Sequence, residues 1–458
     1  MATPLSVVIL AAGQGTRMKS DVPKVLHTIG GRPLLAHVVE DARLLGAEKT
    51  YVVYGHAGER VRQALAHLDL EWVHQPQQLG TGHAVEQAMP FIPDSHSVLL
   101  LYGDVPLITV ETLQRLVAVS REDSLGLLVA SLNDPSGYGR IVRDAAGEIR
   151  RIVEQKDATA EQLAIREINT GMMAVNAGRL RAWLSRLENA NAQGEFYLTD
   201  IVALAVAEGV AVNTIRPADN LEIEGVNNKL QLAELERAFQ RREAERFMLD
   251  GLTLRDPARF DVRGELRFGR DVEIDVNVII EGTVTLGDRV CVEANSVLRD
   301  VVIGDDVTVH PNCIIERSRI GNRCEIGPFA RIRPETELAE HVKIGNFVEI
   351  KKSSVAQDSK INHLSYVGDT TMGAHVNIGA GTITCNYDGA NKHRTIIGDN
   401  VFIGSDTQLV APVTIADGAT IGAGSTITRD APAGNLTLSR AEQRTREGWK
   451  RPQKKPIT

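Results

Sequence analysis

Two pairs of cations and one histidine are the residues of this 458-residue chain best placed to do chemistry. Arg17 and Lys24 follow a glycine turn, Gly13-Gln14-Gly15, which itself follows the apolar run Val7-Val8-Ile9-Leu10. The backbone N–H groups of such a turn, with two cations close by, suit a polyanion such as a phosphate chain. The turn is neither the dinucleotide fingerprint, because Met18 stands where a third glycine belongs, nor a P-loop, because no Gly-Lys-Ser/Thr follows. Arg333 and Lys351 lie in a segment that repeats every six residues, and three such steps separate them. Stacked on neighbouring coils roughly 4.8 Å apart, two cations repel unless an anion sits between them. His363 takes an outward position of the same repeat, and the count places Ala380, Ser405 and Ala423 in a column above it. Small outward residues leave a groove beside a side chain whose ordinary pKa suits proton transfer. Asp104, with Pro106 close behind it, ends an apolar run and is either a turn residue or a hard oxygen donor.

Stepping aliphatics define the element that must carry the second set. They run from Ile274 through Ile280, Leu286, Val292 and Leu298, resume at Ile320 and reach Ile350, and resume again from Ile397 to Ile427. Four residues after each rung sits a small or β-branched residue, as at Val284, Cys324, Ala330 and Ala419. A period of six fits no helix; it fits a short strand plus a bend with positions i and i+4 inward. No such unit buries its apolar edge alone, so the coils must stack into a parallel β-helix. The count breaks after Ile383, where Cys385–Lys392 must bulge outward, and excursions from a solenoid commonly carry function.

The first set rests on a different architecture. Strand-like runs at 7–10, 50–54, 97–102 and 125–132 alternate with helical patterns at 34–45 and 59–68. That alternation predicts an open α/β sheet of Rossmann-like type, which binds ligands at the carboxyl ends of its strands. Leu232, Leu235, Phe239 and Phe247 recur at helical spacing among charged residues, giving a helical connector. The domains are therefore expected at 1–229, 230–250 and 251–458, the last ending in a basic arm.

A net charge of −8 argues against general nucleic-acid or membrane-surface binding, and no apolar run approaches a membrane span. The four cysteines form no CxxC pair, and Cys313 and Cys324 fall at inward positions, so packing accounts for them. These features point to a cytoplasmic chain.

The motifs then carry a resemblance. Leu10-Ala11-Ala12-Gly13-Gln14-Gly15-Thr16-Arg17-Met18 with Pro23-Lys24 resembles the signature of sugar-nucleotide pyrophosphorylases. Gln75 through His83, Tyr102-Gly103-Asp104, Gly137-Tyr138-Gly139-Arg140, Glu154, Asn169-Thr170-Gly171 and Gly225-Val226-Asn227 match its uridylyltransferase members. Joined to a hexapeptide repeat, the whole is similar to the bifunctional family that acetylates glucosamine-1-phosphate and uridylylates N-acetylglucosamine-1-phosphate.

The resemblance implies a homotrimer with left-handed β-helices, acetylation sites built between neighbours, and a product feeding bacterial cell-envelope polysaccharide synthesis. For the first site it implies UTP held by Leu10, Ala11, Ala12, Gly13 and Lys24, uracil read by Gln75, Gly80 and Thr81, and Tyr102 and Gly103 lining the cleft. It places the sugar at Gly139, Glu154 and Asn169, and Mg²⁺ on Asp104 and Asn227. Arg17 and Lys24 then neutralise the departing pyrophosphate. For the second site it implies His363 as general base, with Glu349 to orient it. Arg333, Lys351, Tyr366, Asn377 and Lys392 contact the sugar phosphate, and Asn386 and Tyr387 lie at the reacting groups. The Ala380–Ser405–Ala423 column takes the pantetheine arm of acetyl-CoA, and Arg440 its phosphates. A competing expectation keeps only the nucleotidyltransferase and makes the β-helix a scaffold.

Overall fold

A computed structural model describes residues 3–13, 15–55, 58–120 and 123–454. Gln14 of the glycine turn and Lys455 of the basic arm lie outside them. The chain divides into two compact units, Met1–Arg242 and Glu243–Thr458.

The first unit is built on a nine-stranded sheet. Its main path runs Ala211–Ile215, Ser124–Ser131, Glu167–Asn176, Ser97–Tyr102, Leu5–Ala11, Lys49–Tyr54, Glu71–His74. Strand Leu5–Ala11 pairs in parallel with Lys49–Tyr54 on one side and Ser97–Tyr102 on the other. Period-two alternation sends Val8, Leu10, Val98 and Leu100 into one core, with Val85, Trp183 and Ile201 of the helices on that face. Val7, Ile9, Leu99 and Leu101 enter the other, against Leu35, Val38, Leu113 and Leu116. Covering both faces is what makes these strands read as near-continuous apolar runs.

One strand was not foreseen as antiparallel. Glu167–Asn176 runs against both Ser97–Tyr102 and Ser124–Ser131, with its register broken between Asn169 and Met173. The hairpin Gly139–Arg143/Ile149–Val153 hangs from it, Gly139 pairing with Asn169.

Helix Lys229–Leu249 contains the boundary between the units. Its Leu235 is buried with Met18, Ile29 and Leu34 of the first unit. Its Phe247 packs edge-on against Phe260 and Phe268 of the second.

The second unit is a stack of parallel coils, its strands falling into an eleven-stranded and a seventeen-stranded sheet. Rungs such as Ile280, Ile326, Ile350 and Ile421 are fully buried, as are the fourth-following Val284, Val290, Cys324 and Val342. Each coil turns at residues with positive φ, as in the column Asn295, Asn312, Phe329, Phe347, Leu364. Burial pushes the Cys313 and Cys324 thiols up to about 11.

The ladder slips by one residue at the excursion. Ile383 faces outward at 42% exposure, and Thr384, 1% exposed, holds the inward rung in register with Leu409. The residue type misleads here because Thr384 satisfies its hydroxyl internally, on the Gly368 carbonyl at 3.2 Å.

Candidate functional sites

In the first unit, three parallel strands deliver their carboxyl ends to one edge. Leu5–Ala11 leads into the glycine turn, Ser97–Tyr102 into Asp104 and Glu71–His74 into Gln75. Between them lies a cavity of about 230 Å³ that collects Leu10, Ala11, Ala12 and Gly13 with Lys24. Gln75, Gly80, Thr81, Tyr102 and Asp104 line it too.

Its charged centre is compact. The Lys24 ammonium pairs with the Asp104 carboxylate and lies 3.4 Å from Asn227 Oδ1. That amide oxygen also accepts from Arg17 at 2.8 Å. Two hard oxygens, from positions 104 and 227, thus face one small cation.

Gln75 is 3% exposed, and its Nε2 donates to the Gly80 carbonyl at 3.2 Å and contacts His83 Nδ1 at 3.0 Å. Gly80 has φ 113°, and a Cβ there would strike the Phe196 backbone. Thr81 opens helix Thr81–Ala88 and accepts from the Leu198 N–H at 3.1 Å. Gly103 donates to the Leu10 carbonyl at 3.0 Å, tying the strand ends together.

A second group adjoins through Tyr102. Burial raises the pKa of this phenol, with smaller contributions from Glu154 and Asp104. The Glu154 side chain borders Gly139 closely enough that any Cβ at 139 would crowd it. Burial also raises the Glu154 pKa, reinforced by Asp200, Asp157 and Glu195 and opposed by a 3.0 Å hydrogen bond from Thr199. Asn169, 6% exposed, accepts from the Gly171 N–H at 3.0 Å. Sequence reasoning missed Thr199, and also Gln78, which donates to the Ala12 carbonyl at 2.6 Å. Gln78 stood inside a matched motif; Thr199 had no signal in the sequence.

In the β-helix the candidate residues separate onto two edges of one face. At the first edge Arg333 and Lys351 stack, since Ile332 and Ile350 are in register and the Arg333 N–H donates to the Ile350 carbonyl. Gly368 stacks on Lys351. The excursion returns as a turn closed by a Tyr387–Lys392 bridge and by Asp388, whose carboxylate accepts from Ala390, Asn391 and His393. The turn lays Lys392 beside Lys351, whose charge pulls the Lys392 ammonium below its ordinary pKa. Asn386, 7% exposed, lies 3.4 Å from the Tyr366 hydroxyl. Tyr387 is 60% exposed.

At the second edge the His363 carbonyl accepts from Gly381, that of Ala380 from Asp406, and that of Ser405 from Gly424. The column His363–Ala380–Ser405–Ala423 is therefore continuous, and Arg440 donates to the Ala423 carbonyl at 2.9 Å. Asn377 lies elsewhere, on the strand that leads into this edge, between Lys360 and Phe402.

The orientation expected of Glu349 is corrected. Its carboxylate is taken by Arg333 at 2.7 Å, while His363 Nδ1 lies 3.0 Å from Asn346 Oδ1. Register explains the exchange: Asn346 stacks directly beneath His363, whereas Glu349 lies beneath Tyr366.

Family models match segments of both units. The MobA-like NTP transferase domain model matches residues 7–170, the GMPPB C-terminal domain model 262–346 and the bacterial transferase hexapeptide model 394–429. A solved nucleotidyl transferase from Methanothermobacter thermautotroptrophicus is 20% identical with a TM-score of 0.38, over 53% of this chain and 100% of its own. The bifunctional protein GlmU of Marinobacter nauticus is 57% identical over 452 residues, covering 99% of this chain and 100% of that one. With that identity along nearly its full length, and with both the transferase and the hexapeptide elements in place, the chain belongs to the bifunctional GlmU family.

Proposed function

We propose that the chain makes UDP-N-acetylglucosamine at two separate sites. Residues 251–458 acetylate glucosamine-1-phosphate from acetyl-CoA. Residues 1–229 then transfer UMP from UTP to the N-acetylglucosamine-1-phosphate formed, with 230–250 as the helical joint. The observation that carries the reading is the presence in one family member of two cation clusters: Arg17 and Lys24 at Asp104, and Arg333, Lys351 and Lys392 on the far edge of the face that His363 borders.

For uridylyl transfer, a sugar-phosphate oxygen attacks the α-phosphorus of UTP and the bond to pyrophosphate breaks. Little covalent work falls to the protein, so positioning and charge neutralisation dominate. Because Gln75 spends its amide N–H groups on Gly80 and His83, its carbonyl oxygen is left to accept from a base. Asp104 and Asn227 supply the hard oxygens that Mg²⁺ takes together with phosphates and water, so these residues fit it. Bound there, Mg²⁺ would neutralise phosphate charge. Arg17 and Lys24, released from the two oxygens, move to the departing pyrophosphate. Gly139, Glu154 and Asn169 hold the N-acetylated sugar, Glu154 as a hydrogen-bond acceptor.

For acetyl transfer, the sugar amine attacks the thioester carbon, the C–S bond breaks, and the thiolate leaves with the electron pair. Asn346 Oδ1 accepts at His363 Nδ1, which keeps the proton there and leaves Nε2 as the base for the amine proton. Arg333, Lys351, Lys392, Tyr366 and Asn377 bind the sugar phosphate, with Glu349 holding Arg333 in place. Tyr387 lies beside Asn386 at the reacting groups. The pantetheine arm lies along Ala380, Ser405 and Ala423, and Arg440 meets the CoA phosphates.

The two edges argue for a homotrimer. His363 and Gly368, which stacks on Lys351, are five positions apart, at most about 16 Å at the rise of a strand. The amine and phosphate of the sugar sit on adjacent carbons and span far less. His363 of one chain therefore serves the cations of another, and a three-fold ring closes such edge-to-edge contacts. Such an assembly is soluble and suits the cytoplasm; among the described residues no helix is long and apolar enough to cross a membrane.

The test follows thiol release from acetyl-CoA with glucosamine-1-phosphate, and pyrophosphate release from UTP with N-acetylglucosamine-1-phosphate, on the same samples. His363→Ala should lower thiol release by about 10²–10⁴-fold and leave pyrophosphate release unchanged. A parent protein that releases no thiol with this amine would make the β-helix a scaffold.

A further inference from the structure

Asp369 is a buried carboxylate to which neither the reading of the sequence nor the two reactions give a task. It is 7% exposed and sits at φ 49°, a conformation that disfavours most side chains. It occupies the edge where the cations gather. Its N–H donates to the Lys351 carbonyl at 3.0 Å, and its own carbonyl accepts from the Thr395 N–H at 3.3 Å. Its Oδ2 accepts from Asn386 Nδ2 at 2.5 Å. The residue before it is Gly368, where any Cβ would collide with the Tyr366 hydroxyl and the Asn386 amide. The backbone is thus bared so that Tyr366, Asn386 and Asp369 can meet.

An ionised carboxylate can only accept, so the Asn386 amide must turn its nitrogen toward Asp369. Its carbonyl oxygen then points away, as an acceptor. We propose that Asp369 is a positioning residue of acetyl transfer: it locks the Asn386 amide so that Oδ1 receives an N–H of the attacking amine, and its charge offsets the neighbouring lysines. The inference rests on reading this edge as the acceptor site. It explains why a carboxylate is kept beside a pocket for an anion, where charge alone would disfavour it. An amine whose N–H is held by Oδ1 has its lone pair aimed, and aiming is worth as much as the base that later takes the proton. Asp369 also attracts the Lys392 ammonium and opposes the repulsion from Lys351, which keeps the excursion folded down over the site.

The experiment compares the parent with Asp369→Asn and with the exchanged pair Asp369→Asn/Asn386→Asp, in the full-length protein. Thiol release is measured against glucosamine-1-phosphate and acetyl-CoA concentration, and circular dichroism with gel filtration on the same samples reports whether the β-helix is folded. Asp369→Asn leaves the amide free to flip, so kcat for acetyl transfer should fall roughly 10- to 100-fold with the KM for acetyl-CoA unchanged. The exchanged pair restores the donor–acceptor contact with an acceptor still facing the amine, and should recover about tenfold of that loss. A single variant within twofold of the parent, or an exchanged pair no better than the single, overturns the assignment. Should Asp369→Asn misfold, Asn386→Asp alone decides. It sets two carboxylates together, so its kcat should fall steeply as pH rises and the shared proton is lost, whereas a profile parallel to the parent's overturns the assignment. If the parent itself releases no thiol, the reading of the edge fails and the inference with it. A parent that does so while Asp369→Asn is indifferent removes the inference alone.

Discussion

Lys24 touches both oxygens assigned to the metal, and this makes its removal informative in two opposite senses. While the ammonium neutralises Asp104, a divalent ion must displace it, and that exchange becomes favourable when nucleotide phosphates draw Lys24 and Arg17 away. Lys24→Ala should therefore bind Mg²⁺ more tightly than the parent without nucleotide, read by isothermal titration calorimetry. Pyrophosphate release by the same variant should fall about 10²–10³-fold, the usual loss for one preorganised donor. Unchanged Mg²⁺ affinity would mean that the ammonium does not guard the oxygens. At this scale the sequence was legible where spacing alone brings residues together, as in the stacking of Arg333 and Lys351. It was silent on partners that arrive from afar in the chain or through register alone. Thr199 reaches Glu154 across 45 residues, and Asn346 reaches His363 only because that coil is one residue short. A reader counting strict eighteens would have set Gly345 beneath His363.

Elements differ in how far their pattern survives tertiary context. The hexapeptide ladder is local, each rung fixed by its own residues and those four on, so its inward faces follow from spacing. At Thr384 the inward rung is a residue that the aliphatic pattern misses, because a hydroxyl finds a carbonyl inside the coil and a polar residue passes for an outward one. Strand direction in the first unit is not local: nothing in Glu167–Asn176 declares that it runs against its neighbours. The helix Leu34–Leu44 carries a consequence of the same kind. Burial pushes the Asp41 carboxyl up to about 7, with Glu40 and Glu111 adding and Arg242 and Arg32 opposing. A carboxyl whose folded-state pKa is raised holds its proton in the native chain after the unfolded chain has released it. Stability is then greatest below the ordinary Asp range near 4 and is lost as pH climbs from there to about 7. Asp41→Asn should flatten that slope and leave the first unit more stable than the parent at pH 8, by on the order of 2 kcal/mol. Urea unfolding at pH 5 and pH 8 measures it, and a parent slope that persists in the variant would place the titration elsewhere.

The molecule as a whole poses the question of why one face of one chain carries His363 on one edge and Arg333 and Lys351 on the other. Beside the His363 column, Phe329 and Phe347 stack at 5.2 Å and stand 49% and 55% exposed, with Leu364 above them at 64%. Such an apolar ridge on a vertex suits insertion between neighbours. If each acetylation site joins the His363 edge of one chain to the Lys351 edge of the next, two defective chains must complement one another. His363→Ala and Lys351→Ala are each expected to release thiol at a small fraction of the parental rate. Co-expressed and randomly assembled, they place an intact histidine edge against an intact lysine edge at about one site in four. Thiol release should then recover to roughly a quarter of the parental rate, while a mixture of the separately purified variants stays inactive until the subunits exchange. Sites contained within one chain would give no recovery at any ratio, because every chain would still lack one of the two groups. Uridylyl transfer, confined to the first unit, should be indifferent to all of these combinations. The ratio of the two activities on one sample therefore reports directly whether the second site is shared between chains.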